Sequence, residues 1–264
     1  MEIAAHVDAL ERDGALLADA AAAAGLTASV PTCPGWQVRD LVRHQAYVHR
    51  WAARHVTERP PTVLDGDDED AILAEGPDDA ELIGAYRSGH ADLVAALRSA
   101  APDLDCATFM PAPSPLAFWA RRQAHETAIH RYDAQSAARG GGPTPADAFD
   151  AAFADDGIDE LIMGFAARRR YRLRGEGARS LTVRATDTGH GWQVRLADGA
   201  TAVARCDDTG GADGGAGDCL LAGPAAGIYA FLWNRSVAAA AAVTITGDPN
   251  VLDVWRSSVR VTWS

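Results

Sequence analysis

The first part of the chain divides into four long segments of strong helix formers that are separated by glycine and proline. Within each segment apolar residues recur at intervals of three and four, which places them on one face of a helix. The predicted helices run from about residue 3 to 24, 38 to 55, 79 to 99 and 115 to 139. Helices of this length joined by breaker-rich loops fit an antiparallel four-helix bundle.

The segments between these helices contain the residues that interrupt helices, and we expect loops there. The segment from Leu26 to Gly35 holds two prolines, and Pro102 to Pro115 holds four. The acidic cluster from Asp65 to Asp70 follows Pro60-Pro61 and is predicted to be an exposed loop.

Beyond residue 150 the pattern changes to short strands and helices, which predicts a smaller α+β domain over residues 151–264 after an all-α domain over residues 1–150. The expected strands and helices alternate with turn signals, including a hairpin turn at residues 187–191 and a glycine-rich loop at 209–217. The expected helices cover 158–169, a segment opened by Pro224, and a segment capped by Asp248-Pro249; the expected strands cover 180–185, 191–196, 201–206, 219–221 and 243–246.

The net charge, the hydropathy and the cysteine spacing indicate which binding partners and which compartment to expect. The net charge is −12, so a groove that follows nucleic-acid phosphates is not expected. The longest aliphatic stretch, residues 237–243, is much shorter than a membrane span, and the acidic N-terminus does not resemble a signal peptide. The four cysteines form no CxxC pair. We therefore expect a cytoplasmic protein that binds neither nucleic acid nor membrane.

The fourth helix contains a possible metal-binding pair. Glu126 and His130 are four residues apart and share a face, whereas His125 and His130 are five apart and diverge around the helix. If this face points into the bundle, a carboxylate and an imidazole are buried together, which is unfavourable unless a group such as a divalent cation compensates both.

The second helix offers a third ligand. His44 lies on the face formed by Leu41, Val48 and Trp51, which is expected to point inward. Two histidines and a glutamate with an open position are a known arrangement of catalytic zinc and also suit non-haem Fe(II). By the residues alone, a core histidine and a surface Glu126–His130 pair are commoner than a three-ligand site.

The other candidates favour structural interpretations. His55, His90 and His190 are expected to be solvated, and His125 is expected to lie at the surface. Cys33 is expected to be a small buried residue rather than a ligand or a redox thiol. Asp133 could orient His130, although a surface ion pair with an arginine is the commoner arrangement.

Several motifs together resemble a known family. The run Val30-Pro-Thr-Cys-Pro-Gly-Trp36, followed by Val38-Arg-Asp-Leu-Val-Arg-His44, and the run from Arg122 to Asp133 are similar to the N-terminal signatures of the mycothiol-dependent maleylpyruvate isomerase family. The C-terminal motifs that match are Asp156-Gly-Ile-Asp-Glu160, Leu232-Trp-Asn-Arg235 and Gly247-Asp-Pro-Asn-Val-Leu252.

This resemblance implies a DinB-like metal-binding bundle and a sterol-carrier-like second domain. It implies that His44, Glu126 and His130 bind zinc or another divalent metal, with mycothiol as the thiol cofactor. It also implies that Arg235 has a catalytic or cofactor-binding role, although Asn234 departs from the commonest form of that segment.

The resemblance favours a metalloenzyme in which a thiolate attacks an electrophilic small molecule, giving cis–trans isomerisation or S-transfer. Two alternatives stay open. One is a metal-dependent hydrolase that activates water, with Asp133 as a weak candidate base. The other is a non-catalytic binding or regulatory module, in which the bundle metal is structural or absent. Its C-terminal domain would hold an apolar ligand in a pocket lined by the strands and by the helix from Ile228 to Trp233.

Overall fold

The computed structural model describes residues 1–74, 76–139, 143–168, 179–197, 200–207, 217–235 and 242–258. The chain divides into two compact units, Met1–Pro143 and Thr144–Ser264. The domain boundary predicted near residue 150 falls shortly after this division. In the described part of the chain, no helix combines the length and the apolar character needed to cross a bilayer.

The first unit is the predicted four-helix bundle. Helix α1 packs against α4 and α5, and α2 packs against the same two helices. The short α3 lies beside α2. The helices are α1 (Ile3–Ala24), α2 (Val38–Glu58), α3 (Asp67–Ala74), α4 (Leu82–Ser99) and α5 (Pro115–Arg139).

Local sequence signals set the ends of these helices. Helix α1 stops at Gly25, whose φ of 81° is a conformation that glycine adopts without strain. Gln37 and Asp40 form a reciprocal capping arrangement at the start of α2. At the start of α5, the Ser114 hydroxyl accepts a hydrogen bond from the backbone N–H of Ala117 at 3.1 Å.

The acidic cluster is mostly exposed as expected, but the prediction of a loop was wrong from Asp67 onward, where α3 begins. Asp67, Asp68, Glu69 and Asp70 all lie in the first turn of α3, where the positive end of the helix dipole favours carboxylates. Ile72 is fully buried and attaches the short helix to the bundle. The charges that suggested a loop therefore stabilise a helix start.

Helix α5 is buried more completely than a surface helix of a bundle. Every residue from 122 to 134 is buried, including the small residues Ala124, Thr127 and Ala128. Small side chains allow neighbouring helices to approach closely on several sides. The sequence predicted one inward face on α5, whereas the structure buries this segment on all sides.

The second unit is the predicted α+β fold, with helices against a five-stranded mixed sheet. The strand order is β3-β2-β1-β4-β5; β1 and β4 are parallel and the other neighbours are antiparallel. The elements are α6 (Pro145–Ala148), α7 (Ala151–Asp159), a π-helix (Glu160–Ala166), β1 (Arg179–Ala185), β2 (His190–Ala197), β3 (Ala200–Asp207), β4 (Cys219–Gly223), α8 (Ala225–Leu232), β5 (Thr244–Gly247) and α9 (Asn250–Ser258).

The expected strands are all present, and alternating burial explains why. Leu181 and Val183 on β1 are buried with Trp192 and Val194 on β2, while the intervening side chains are more exposed. Val183 lies opposite Trp192 in the register. The predicted glycine-rich loop at 209–217 lies outside the described residues except for Gly217.

The helix predicted over 158–169 begins earlier than expected. Asp150 accepts hydrogen bonds from the N–H groups of Ala152 and Phe153, so α7 starts at Ala151. The helix then continues as the π-helix to Ala166. An aspartate before a run of alanines is an N-cap signal that the prediction overlooked.

A close contact between α1 and α4 gives a testable prediction about packing. A Cβ atom added at Gly14 would lie 2.2 to 2.5 Å from three ring atoms of His90. Gly14→Ala should therefore lower the free energy of unfolding by about 1–3 kcal/mol, even though alanine favours helix by about 1 kcal/mol. Urea denaturation measures the change.

Gly84→Ala is the matched control, because Gly84 lies in α4 and a Cβ there meets nothing within 4 Å. This variant should gain about 0.5–1 kcal/mol of stability. Equal stabilisation by both substitutions would contradict the packing of His90 against Gly14.

Candidate metal centre

Helices α2 and α5 bring His44, Glu126 and His130 together, although His44 is far from the other two in sequence. The Oε1 atom of Glu126 lies 3.3 Å from Nε2 of His44 and 3.3 Å from Nε2 of His130. The candidate ligand atoms of all three residues lie within 4.8 Å of one another. The three ligands implied by the resemblance therefore meet at one point.

The chemistry and spacing of these donors fit a small divalent cation. Bonds of about 2.0–2.2 Å to nitrogen and oxygen around a tetrahedral ion would separate neighbouring donor atoms by roughly 3.3–3.6 Å. The two distances from Glu126 Oε1 match this separation. Neutral imidazoles with one carboxylate are ligands that zinc accepts. The assignment of these residues as metal ligands remains a prediction.

Glu126 is held from its other side by Arg122, one helical turn earlier. Arg122 is fully buried, and its Nη2 donates to Glu126 Oε2 at 2.8 Å. Burial alone would raise the pKa of Glu126, but hydrogen bonds from His130 and His44 and the charge of Arg122 outweigh it and hold the pKa well below its usual range. The carboxylate is therefore ionised, with Oε1 left to face the histidines.

Asp133 holds the far side of His130. The two residues share a hydrogen bond of 2.9 Å between His130 Nδ1 and Asp133 Oδ2, and Asp133 is completely buried. Burial alone would lower the pKa of His130, but the hydrogen bonds to Asp133 and Glu126 outweigh it and raise the pKa. The surface ion pair considered commoner for Asp133 is thus not what the structure shows.

The loop between α1 and α2 borders the same site. The Trp36 ring stacks on His130 with centroids 6.2 Å apart and lies 5.3 Å from the His44 ring. Cys33 is half-buried rather than buried, and its thiol donates to Asp133 Oδ2 at 3.3 Å. Cys33 is therefore placed beside the site.

Three histidines expected at solvated or surface positions are instead buried. His55 donates from Nδ1 to the Trp51 carbonyl at 2.8 Å and accepts from the Leu64 N–H at 3.1 Å, which satisfies both ring nitrogens. His90 and His125 are also buried, whereas His190 is exposed as expected. These histidines were expected at the surface because their side chains are polar. In the structure the bundle provides hydrogen-bond partners or tight packing for them.

Arg235 lies just after α8 in the second unit. Its Nη1 donates to the carbonyl of Trp233 at 2.7 Å, at the carboxyl end of that helix, where a cation is favourable. Asn234 has a φ of 62°, a left-handed conformation that asparagine tolerates better than most residues at a helix end. The unusual Asn234 therefore has a structural role, and the role of Arg235 toward a ligand remains a prediction.

The helix that would line an apolar pocket in the binding-module alternative forms part of the core of the second unit. Ile228, Phe231 and Leu232 are each no more than 1% exposed. Their burial is explained by packing in the core.

Sequence reasoning missed Arg122 as the partner of Glu126 and Thr32 as the partner of Asp133. Arg122 precedes Glu126 by four residues, and this spacing of opposite charges could have identified it. The Thr32 hydroxyl bonds to Asp133 across 101 positions of sequence, and no local pattern reveals such a contact.

Two family models match most of the chain. Residues 7–135 match the N-terminal domain of mycothiol maleylpyruvate isomerase, and residues 152–253 match the C-terminal domain of the same family. No match was found among curated proteins.

The fold also matches solved structures. A crystal structure of the mycothiol-dependent maleylpyruvate isomerase has a TM-score of 0.61 and 15% sequence identity, with 93% of each chain covered. A structure of a histidine-to-alanine mutant of such an isomerase has the same TM-score and coverage with 14% identity. At this identity the likeness shows a common fold.

Proposed function

The chain belongs to the mycothiol maleylpyruvate isomerase family, a family of enzymes, and from this premise we propose that it is a thiol-dependent metalloenzyme. Its proposed substrate is an electrophilic small molecule, and its proposed cofactors are mycothiol and a divalent metal, with zinc expected. The convergence of His44, Glu126 and His130 supports this proposal most strongly.

The residues of the first unit would hold the metal. His44 and His130 offer Nε2 and Glu126 offers Oε1, while Arg122 occupies Glu126 Oε2 and Asp133 occupies His130 Nδ1. A divalent ion bound by these groups supplies the positive charge that keeps a thiol deprotonated at neutral pH. Partial exposure of His44, with 12% of its side chain accessible, leaves a side from which a ligand can approach.

The proposed reaction uses the thiolate as nucleophile. The electrophilic carbon that the sulfur attacks belongs to a double bond of the substrate. As the new bond to sulfur forms, the electrons of that double bond move onto the electron-withdrawing group that activates it. Rotation about the new single bond and loss of the same thiolate give the cis–trans isomer. If protonation of the adduct replaces loss of the thiolate, the product is a thioether.

Arg235 is proposed to bind a carboxylate of the substrate or of the cofactor, because guanidinium groups pair well with carboxylates. The family resemblance supports this role. We further propose that the enzyme acts in the cytoplasm, because the spacing of its four cysteines does not suggest a disulfide framework.

Proton release on thiol binding tests the proposal. Addition of mycothiol to the zinc-loaded protein in weak buffer should release about one proton for each thiol bound, because the thiol binds as thiolate. A pH indicator measures the release, and S-methyl mycothiol is the control that should release none.

Two other outcomes would support the alternatives. Turnover of an electrophilic substrate at an unchanged rate without any thiol would favour a hydrolase that activates water. Absence of both thiol binding and proton release would contradict the proposal and favour a non-catalytic binding module.

A further inference from the structure

The Asp133 carboxylate receives hydrogen bonds from α5 and from the loop before α2. Thr32 Oγ1 donates to Oδ1 at 2.6 Å, Cys33 Sγ donates to Oδ2 at 3.3 Å, and His130 Nδ1 lies 2.9 Å from Oδ2. Asp133 is completely buried. A buried carboxylate needs such donors, so Thr32 and Cys33 stabilise the charge that Asp133 presents to His130.

The contact with Asp133 determines how His130 faces the candidate site. When Nδ1 carries the proton and donates it to Asp133, the lone pair of Nε2 points toward the Glu126 side. Nε2 is the nitrogen that lies 3.3 Å from Glu126 Oε1. A carboxylate in this position fixes both the orientation and the tautomer of a histidine ligand.

Thr32 belongs to a loop that is itself well ordered by hydrogen bonds. Val30 N–H donates to the Trp36 carbonyl at 2.9 Å, and Cys33 N–H donates to the Val30 carbonyl at 3.0 Å. Ser29 and Gln37 form an isolated bridge that closes the loop. These bonds fix the Thr32 hydroxyl against Asp133, and the stacking of Trp36 on His130 adds a second contact from the same loop.

We propose that Thr32 is a positioning residue, which orients His130 for metal binding through Asp133. This inference rests on the proposed metal site. The Thr32 hydroxyl does not touch the metal or the substrate in this assignment. It fixes the Asp133 carboxylate, and the carboxylate fixes the His130 ring. The 2.6 Å distance is typical of a strong hydrogen bond from a hydroxyl to a charged carboxylate.

The test measures the affinity of the full chain for Co²⁺ by competition with a chromophoric chelator, together with the visible spectrum of the bound Co²⁺. Thr32→Val preserves shape but removes the hydroxyl. This variant should bind Co²⁺ roughly 10-fold more weakly and show an altered spectrum, as expected for loss of support to a metal-ligating histidine. Asp133→Asn should weaken binding by about 10- to 100-fold.

Two further variants separate positioning from general stability. Thr32→Ser retains the hydroxyl and should restore the affinity and the spectrum to within about twofold of the wild type. Thr57→Val removes a comparable hydroxyl, which donates to the Ala53 carbonyl in the exposed part of α2, and should change neither measurement. Thermal melting of each variant confirms that it is folded.

Each outcome decides a different point. If the wild type binds Co²⁺ and Thr32→Val binds it with equal affinity and an unchanged spectrum, the positioning role is wrong while the proposed metal site stands. If the wild type binds no Co²⁺, the proposed function fails, and the positioning role fails with it. If the wild type binds two equivalents and Cys33→Ala binds one, Cys33, His130 and Asp133 form a second cation site, which overturns the positioning role.

Discussion

Glu126→Gln is expected to lower metal affinity and thiol-dependent turnover on the order of 1000-fold. The substitution keeps the shape of the side chain but removes the negative charge that lies between His44, His130 and Arg122. Removing one member of a buried charge pair typically costs about 3–5 kcal/mol, and each 1.4 kcal/mol corresponds to about a factor of 10. Metal content by elemental analysis and steady-state turnover with mycothiol measure the two losses.

The same substitution should also destabilise the fold, because Arg122 is fully buried and loses its carboxylate partner. The double variant Glu126→Gln with Arg122→Met is the matched control. It removes both charges, so we expect it to recover most of the stability of the wild type without recovering metal binding. This pattern separates loss of a ligand from loss of the fold.

His130→Ala and His44→Ala extend the test to the other proposed ligands. Each removes a neutral nitrogen donor and should also reduce metal content strongly. Undiminished metal in Glu126→Gln and His130→Ala would refute the ligand assignment. Retained metal with lost thiol-dependent turnover would instead indicate a structural ion.

Acidification should destabilise the protein, because the structure buries several histidines in their neutral form. Burial lowers the pKa of His55 and His90 and holds the pKa of His49 well below its usual range, where the neighbouring His90 lowers it further. His49 is completely buried, with Nε2 2.9 Å from Thr127 Oγ1 and 3.0 Å from Gln45 Nε2.

The direction of this pH dependence follows from comparing the proton uptake of the folded and the unfolded chain. In the unfolded chain these histidines titrate near pH 6.5, so they take up protons there while the folded chain does not. The free energy of unfolding therefore falls as the pH drops below about 6.5, by about 1.4 kcal/mol per pH unit for each histidine that stays neutral in the fold. His130 has a raised pKa and acts in the opposite direction, since its contribution is lost as the pH rises.

Urea denaturation between pH 7.5 and 5.5 measures this dependence. His49→Gln removes the titrating group while retaining a side chain that can hydrogen-bond to Thr127, so it should lose about 1.4 kcal/mol less stability per pH unit than the wild type. Identical slopes for the wild type and His49→Gln below pH 6.5 would contradict the burial of a neutral His49.

Helix boundaries were predictable where the end of an element depends on a few adjacent residues. Gly25 ends α1 and Ser114 with Pro115 begins α5, both as expected. The same local reasoning failed at α3, where the charges of Asp67 to Asp70 suggested a loop but stabilise the first turn of a helix. The charges alone do not distinguish an exposed loop from the first turn of a helix. The burial of Ile72, seen only in the structure, distinguishes them.

The candidate site was partly predictable for a similar reason. The four-residue spacing of Glu126 and His130 places both side chains on one helix face, and the apolar neighbours of His44 turn it inward. For the histidines away from the site, helix periodicity could not show whether the side chain is buried or exposed. Whether a histidine such as His55 is buried depends on partners such as the Leu64 N–H, which the fold brings from another segment.

The amino-acid sequence by itself determined the positions of the main helices and strands and singled out His44, Glu126 and His130 as candidates, which the family resemblance then favoured as ligands. These features depend on helical and strand periodicity, which is encoded over short distances along the chain. Only the tertiary structure decided that Arg122 is buried against Glu126 and that Thr32 supports Asp133. Burial and contact across 101 positions depend on how the helices pack, and local periodicity contains no information about that packing.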